Sequence, residues 1–142
     1  MHGVEMRRLL ITLSLAALLV GVMATAAQTA GPGMKGSSVN FGKVQAGTLY
    51  TATLSLTNNT GETIINVAAP AVSDPFVLEG TWNCGGIIAH ATCTSLFSFW
   101  TDLALMHGTN RITQSVTLTG TGATSGNTYT AVVKFIATQV AR

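Results

Sequence analysis

Two cysteines and two histidines are the residues of this sequence best suited to metal or thiol chemistry. Cys84 and Cys93 are separated by eight residues, and His90 and His107 lie close to them along the chain. Structural zinc sites place their paired cysteines closer together and need reduced thiols. A zinc site is therefore the less favoured alternative. If the chain is exported, the sequence predicts a Cys84–Cys93 disulfide.

The carboxylates are the other groups that bear on catalysis. Nucleophilic catalysis would need a base and an orienting acid beside a hydroxyl or thiol, and the sequence pairs neither histidine with an acid.

The glycines at 120–122 do not stand between a strand and a helix, as a phosphate-binding loop requires. The sequence thus predicts no catalytic residues, no metal and no cofactor, and an enzyme is the least favoured hypothesis. Beyond residue 27 the carboxylates fall on separate predicted turns or strand ends: Glu62, Asp74, Glu79 and Asp102.

Trp82 and Trp100 are candidate interface residues, because aromatic side chains are enriched at protein interfaces. The alternative is that each tryptophan covers an edge of the core. Trp82 has Gly80, Asn83 and Gly85 as neighbours, which indicates an exposed loop. The interface hypothesis is therefore stronger for Trp82 than for Trp100.

The chain carries few charges. Charged residues are 8% of the sequence, whereas about a quarter is usual. Of seven Lys and Arg residues and five acidic ones, two basic and one acidic fall within the first 27 residues, so the remainder has a net charge of about +1. Such a balance gives nucleic-acid binding no electrostatic support.

Residues 1–27 have the layout of a secretory signal peptide. Arg7 and Arg8 precede an uncharged run at 9–23, and small residues follow at 24–27. This pattern predicts cleavage after Ala26 or Ala27 and a secreted, periplasmic or surface protein. The alternative is a retained membrane anchor, because the uncharged stretch of 19 residues is just long enough to span a bilayer.

The first half of the remaining chain predicts short strands. Residues 28–37 are rich in glycine and lack apolar periodicity, which predicts a flexible N-terminal segment before one domain at 38–142. Residues 48–58 alternate strictly between apolar and hydroxyl side chains, as in a half-buried strand. The Asn- and Gly-rich turn at 58–62 then predicts a hairpin with a partner strand at 63–68. Residues 76–78 follow two prolines and are predicted to form a short strand near an edge.

The second half continues the same pattern. Residues 92–100 form a predicted strand with Cys93, Ser95, Phe97 and Phe99 on one face. A brief helical turn is predicted at 102–106 and a strand at 111–119, followed by a loop at 120–127 in which 120–122 is the hairpin bend. The last strand, at 128–140, is predicted to be central because it is apolar on both faces. The sequence therefore predicts an all-β, immunoglobulin-like antiparallel β-sandwich of about seven strands after a signal-peptide helix.

Several short motifs in one order carry a family resemblance. They are Val39-Asn40-Phe41-Gly42, Asn58-Asn59-Thr60-Gly61, Phe76, Cys84, and Thr92-Cys93 ahead of Phe97 and Phe99. This order resembles the ASH/Hydin-like, choice-of-anchor D domains, over about residues 39–99. The resemblance implies an immunoglobulin-like sandwich related in fold to the major sperm protein. Its bacterial members are often secreted or surface-exposed, and such domains scaffold or bind other proteins. The chain departs from the family at 100–102, where a proline is usual, which predicts a rebuilt connection.

These observations favour a secreted or periplasmic, non-catalytic structural or adhesion module that binds other proteins. The alternative is a subunit of an extracellular filament or surface layer, assembled through strand edges. That alternative rests on the low charge and on the segment 28–37, which has the length and polarity to add a strand to a neighbour. The predicted partners are other proteins or copies of the chain itself, with no nucleic acid. Membrane contact is expected only through an uncleaved signal segment.

Overall fold

The computed structural model describes residues 33–141, which form two β-sheets. The predicted leader and the start of the N-terminal segment lie outside these residues. Residues 33–141 contain no helix long and apolar enough to cross a membrane. The strands are β1 Met34–Gly36, β2 Val39–Val44, β3 Tyr50–Asn58, β4 Ile64–Ile65, β5 Phe76–Glu79, β6 Thr92–Phe99, β7 Thr109–Gly122 and β8 Thr128–Val140.

Each sheet has four strands. Sheet A has the order β1-β3-β6-β5, and sheet B has the order β2-β8-β7-β4. Every pair is antiparallel except β2 and β8, which are parallel. The predicted β-sandwich is confirmed, with eight strands instead of seven and with one parallel pair.

The core lies between the sheets and is dominated by phenylalanines. Phe97 and Phe99 on β6 are fully buried, as is Phe135 on β8. The Phe97 and Phe135 rings meet edge to face with centroids 4.8 Å apart. Burial of each such ring stabilises the fold by about 1.5–3 kcal/mol. The predicted inward face of β6 is confirmed, because Ser95 is also buried.

The hairpin predicted between 48–58 and 63–68 is wrong. β3 pairs with β1 and β6, whereas Ile64–Ile65 pairs with β7 in the other sheet. The turn at 58–62 therefore carries the chain from one sheet to the other. Its first residue is buried: the side-chain amide of Asn58 donates to the carbonyl of Glu62 at 2.7 Å. Alternation of apolar and polar residues predicts a strand and its buried face but not the strand with which it pairs. Here the buried side chain of Asn58 lies at the point where the chain crosses from one sheet to the other.

Two segments predicted to be irregular or helical differ in the structure. Part of the predicted flexible segment forms β1, in which Met34 is buried and pairs with Asn58. The predicted helical turn at 102–106 is absent. The carbonyl of Thr101, which would accept the first bond of such a turn, instead accepts from the amide of Gly47 at 2.8 Å.

The glycines at 120–122, predicted as a hairpin bend, belong to β7. The turn between β7 and β8 comes later, at 123–127. A Cβ on Gly120 would lie 2.4 Å from Ile64 Cγ2 and 2.7 Å from Val67 Cγ2, so this glycine allows β7 to lie close to β4 and to the segment after it. β8 is central in sheet B, as predicted, but its outer face is open, because Val132 is 62% exposed.

Candidate interaction site

The two most exposed of the large apolar side chains among residues 33–141 lie in the connection that follows β6. We call residues 100–108, which connect β6 to β7, the end loop. Trp100 is 49% exposed, Leu103 75% and Met106 84%. Trp100 and Leu103 line one cleft, and exposed apolar groups that share a surface mark interaction sites more often than scattered ones do. The end loop is therefore the candidate site.

The backbone of the end loop is held by hydrogen bonds from several elements. The amide of Trp100 donates to the carbonyl of Pro75 at 3.2 Å. The buried side chain of Gln139 on β8 donates from Nε2 to the carbonyl of Leu103. The amide of Ala141 donates to the carbonyl of Gly108 at 3.1 Å. The loop is thus anchored at its start, middle and end, so its apolar side chains are presented on a fixed backbone.

A cleft of about 470 Å³ lies against the start of the end loop, and we call it the end cleft. This volume is within the range of about 300–1,000 Å³ that is usual for ligand pockets. Most of its lining is apolar, and two acidic side chains stand at it. The lining residues are Asp74, Pro75, Trp100, Thr101, Asp102, Leu103, Leu105, Asn110, Ile112 and Gln139.

The wall that carries Asp74 is fixed to sheet B by a paired hydrogen bond. The amide of Ser73 donates to Oε1 of Gln114 at 3.0 Å, and Nε2 of Gln114 donates back to the carbonyl of Ser73 at 2.7 Å. The amide of Phe76 donates to the same carbonyl at 3.1 Å, which closes a tight turn around Asp74 and Pro75. Both walls of the end cleft are therefore built into the sandwich.

The predicted disulfide is confirmed. The sulfurs of Cys84 and Cys93 are bonded at 2.07 Å, with the Cα atoms 5.5 Å apart. Cys84 is fully buried. The two sulfurs are therefore not free as the thiolate ligands that the zinc alternative requires. His90 and His107 are exposed loop residues.

The two tryptophans have different surroundings. Trp82 is half-buried against the core, and its Nε1 donates to the carbonyl of Val67 at 2.8 Å. Trp100 is on the surface and lines the end cleft. Trp100 is the more exposed of the two tryptophans, although the sequence favoured Trp82 as the interface residue.

The sequence analysis did not bring Asp74 and Asp102 to one site. They converge because β5 and β6 are antiparallel, with Phe76 opposite Phe99, so the residues before β5 lie beside those after β6. Within the sequence the two acids are separated by two strands and the cysteine loop. A correct prediction of the β5–β6 pairing would have shown that Asp74 and Asp102 lie close together.

Glu62, the third carboxylate, has a structural role. It accepts hydrogen bonds from the backbone amides of Thr124 and Ser125, both at 2.9 Å, and from the hydroxyls of Ser125 at 2.6 Å and Tyr129 at 2.9 Å. The side-chain and backbone bonds of Ser125 are the main cause that lowers the pKa of Glu62 from 4.5 to about 2. Glu62 thus joins the turn at 58–62 to the β7–β8 turn.

Glu62→Gln is expected to reduce the dependence of stability on acid pH. Because the folded-state pKa of Glu62 is below its ordinary value of 4.5, the ionised group stabilises the fold fully above about pH 4.5 and loses this effect as the pH falls to about 2. The variant should be less stable at pH 7 and lose less stability between these limits, as measured by urea unfolding. Glu79→Gln, at the exposed end of β5, is the control. If the free energy of unfolding differs between Glu62→Gln and the wild type by the same amount at pH 7 and at pH 2, this role of Glu62 is contradicted.

The fold and the site define a class of protein: an immunoglobulin-like β-sandwich with an apolar site at one end. Its fold is of the ASH/PapD-like type. The chain is similar to the ASH/PapD-like domain 7 of human CEP192, with a TM-score of 0.52 and 9% identity over 80% of this chain and 92% of that one. This likeness, at such low identity, concerns the fold.

Two bacterial structures share the fold as part of larger chains. A protein of unknown function from Porphyromonas gingivalis has a TM-score of 0.60 and 13% identity over 78% of this chain and 49% of its own. The VesB protease of Vibrio cholerae has a TM-score of 0.54 and 9% identity over 75% of this chain. The present chain thus spans about half of the first protein, and 32% of the protease. No protein-family model matches the sequence, and no curated protein matches it.

Proposed function

We propose that this protein is an exported, non-catalytic module that binds another protein through the end cleft. The observation that carries the proposal is the exposure of Trp100, Leu103 and Met106 on a loop whose backbone is hydrogen-bonded to three other parts of the fold. Burial of apolar surface by a partner is favourable by about 25 cal/mol per Å². A fixed loop also loses little conformational freedom on binding, so more of this energy appears as affinity.

The class of fold supports the same function. The similar domain of human CEP192 is of the ASH/PapD-like type, and the choice-of-anchor D resemblance, with its relation to the major sperm protein, implies scaffolding or protein binding. The non-catalytic part of the proposal rests on groups that are already used in the structure. Cys84 and Cys93 are bonded to each other, and Glu62 accepts four structural hydrogen bonds.

The export part of the proposal rests on the disulfide, because such bridges persist in oxidising compartments. We propose that residues 1–27 are a signal peptide and that the protein works in the periplasm, at the cell surface or outside the cell. The proposed partner is another protein.

A filament or surface-layer subunit is the second candidate, favoured by the state of the sheet edges. β4 is covered, because Ile64 and Ile87 exchange backbone hydrogen bonds of 2.9 and 2.8 Å. In sheet A, β5 is an edge strand: among residues 33–141 it pairs only with β6. The side chain of Val77 on β5 is 46% exposed. Such an edge is a template for strand addition by another copy. Assembly that rises with concentration on size exclusion would favour this candidate.

Selection of random peptides on the purified exported protein tests the first candidate. We expect enrichment of peptides whose affinity falls about fivefold or more in Trp100→Ala, because an aromatic anchor carries much of the energy of such contacts. Val132→Ala, which removes an exposed apolar side chain from the outer face of sheet B, is the matched control and should leave the affinity unchanged. A selection that yields no binders, or binders indifferent to Trp100, would contradict the proposal.

A further inference from the structure

We propose that the end cleft recognises an extended peptide segment in which an apolar side chain stands next to a lysine or arginine. This inference rests on the proposed protein-binding function and specifies the chemistry of the partner. It follows from the charges of the lining, which includes two acidic side chains, Asp74 and Asp102, and no Lys, Arg or His.

The apolar part of the lining determines the first half of this recognition. Pro75, Leu103, Leu105 and Ile112 offer a surface without hydrogen-bonding side-chain groups. An apolar side chain is the occupant that such a surface stabilises, because a polar one would lose its bonds to water without replacement. The exposed side-chain amide of Asn110, also in the lining, offers a donor and an acceptor to the backbone of the bound segment.

The acidic pair determines the second half. Asp74 and Trp100 are neighbours across β5 and β6, since the Trp100 amide donates to the carbonyl of Pro75 at 3.2 Å. Asp102 follows Trp100 by two residues on the same loop. A cationic head group in this cleft would therefore meet two carboxylates and an indole ring, and both kinds of group can attract a cation.

Other segments fit this lining less well. An acidic segment would be repelled by Asp74 and Asp102, and a wholly apolar one would cover the two acidic groups without pairing them. Without residues 1–27 the chain has a net charge of about +1, so its overall field does not attract cations. Selection for a basic segment would thus come from these two side chains and would weaken as salt is added.

Fluorescence anisotropy with three labelled peptides tests the inference on the exported protein. GSKLKSG combines an apolar residue with two cations, GSELESG reverses the charges, and GSKSKSG lacks the apolar residue. We expect GSKLKSG to bind roughly tenfold more tightly than either of the others at low salt. Asp102→Asn should weaken GSKLKSG about two- to fivefold, and the Asp74→Asn/Asp102→Asn variant roughly tenfold, because exposed ion pairs contribute modestly.

Glu79→Gln is the matched control for loss of one carboxylate. Glu79 ends β5, about 10 Å along the strand from Phe76, which follows the turn that holds Asp74. It is absent from the cleft lining. This variant should bind GSKLKSG like the wild type, and circular dichroism should show the same fold for all variants.

The outcomes separate this inference from the proposed function. Equal binding of GSELESG and GSKLKSG, or an unchanged preference in the Asp74→Asn/Asp102→Asn variant, would overturn the basic-segment proposal. The binding function would still stand if the peptides selected from the random library depend on Trp100. Absence of binding by GSKLKSG up to millimolar concentration also overturns the inference, and a library that gives no Trp100-dependent binders overturns both.

Discussion

Replacing Asn58 with alanine is expected to lower the free energy of unfolding by about 3–4 kcal/mol. Asn58 is fully buried at the end of β3. Its Nδ2 donates to the carbonyls of Glu62 at 2.7 Å, Ile87 at 2.9 Å and Ile88 at 3.1 Å. Its Oδ1 accepts from the amide of Thr60 at 2.9 Å and from the Thr60 hydroxyl at 2.6 Å. Alanine would remove these five hydrogen bonds, each of which contributes about 0.5–1.5 kcal/mol. The carbonyls of Ile87 and Ile88 would keep their bonds from the amides of Ile64 and Ala91, whereas the Thr60 amide would lose its partner.

The neighbouring residue provides a matched control. Asn59 is exposed. Its backbone amide, which alanine retains, donates to the carbonyl of Gly33 at 2.8 Å. Asn59→Ala should therefore change the free energy of unfolding by less than about 0.5 kcal/mol. Urea unfolding of both variants measures the difference. If Asn58→Ala is no less stable than Asn59→Ala, the buried amide does not hold the turn at 58–62 to the cysteine loop.

Asn58 also shows where reasoning from the sequence ends. Its position in an Asn- and Gly-rich run correctly predicted a turn, since such residues form turns easily. The run does not show that the first amide is buried and that it bonds to carbonyls at 87 and 88, far along the chain. Such long-range bonds depend on which strands meet, and turn composition does not contain that information.

The strands themselves were largely predictable. The two-residue alternation in β3 and β6 gave the correct buried face in each case, with Leu54 and Leu56 buried on β3 and Phe97 and Phe99 on β6. Alternation records which side chains lose contact with water, and this is a local property. Pairing is not local, so the partners of β3 and β4 were predicted wrongly, and β1 was predicted as part of a flexible segment.

The sequence predicted the type of residue at the candidate site but not where the site lies in the fold. Trp100 was identified from its residue type, which carries interface energy in many proteins. Its convergence with Asp74 depends on the antiparallel register of β5 and β6. The glycines around Trp82 correctly indicated a loop, but the indole turns back and bonds to the carbonyl of Val67. Local composition thus predicts where the chain leaves a sheet, while the direction of a side chain depends on the groups packed near it.

The Cys84→Ala/Cys93→Ala variant is expected to be less stable than the wild type by about 2.5–3 kcal/mol. The bridge joins residues nine positions apart, and in the loop-entropy model opening a ring of this size raises the entropy of the unfolded chain by this amount. In a domain of this size the melting temperature should fall by about 10 °C or more. Thermal and urea unfolding of the oxidised protein and the variant measure both values.

The folded structure should survive the loss of the bridge, because other contacts hold the cysteine loop. The amide of Val67 donates to the carbonyl of Gly85 at 3.1 Å, in addition to the paired bonds between Ile64 and Ile87. The wild type with its bridge reduced should then match the variant in stability. A variant much less stable than the reduced wild type would show that packing at Cys84, and not chain entropy, dominates. Since Cys93 is seven residues before Trp100, about 23 Å along β6, peptide binding at the end cleft should be unchanged in the variant.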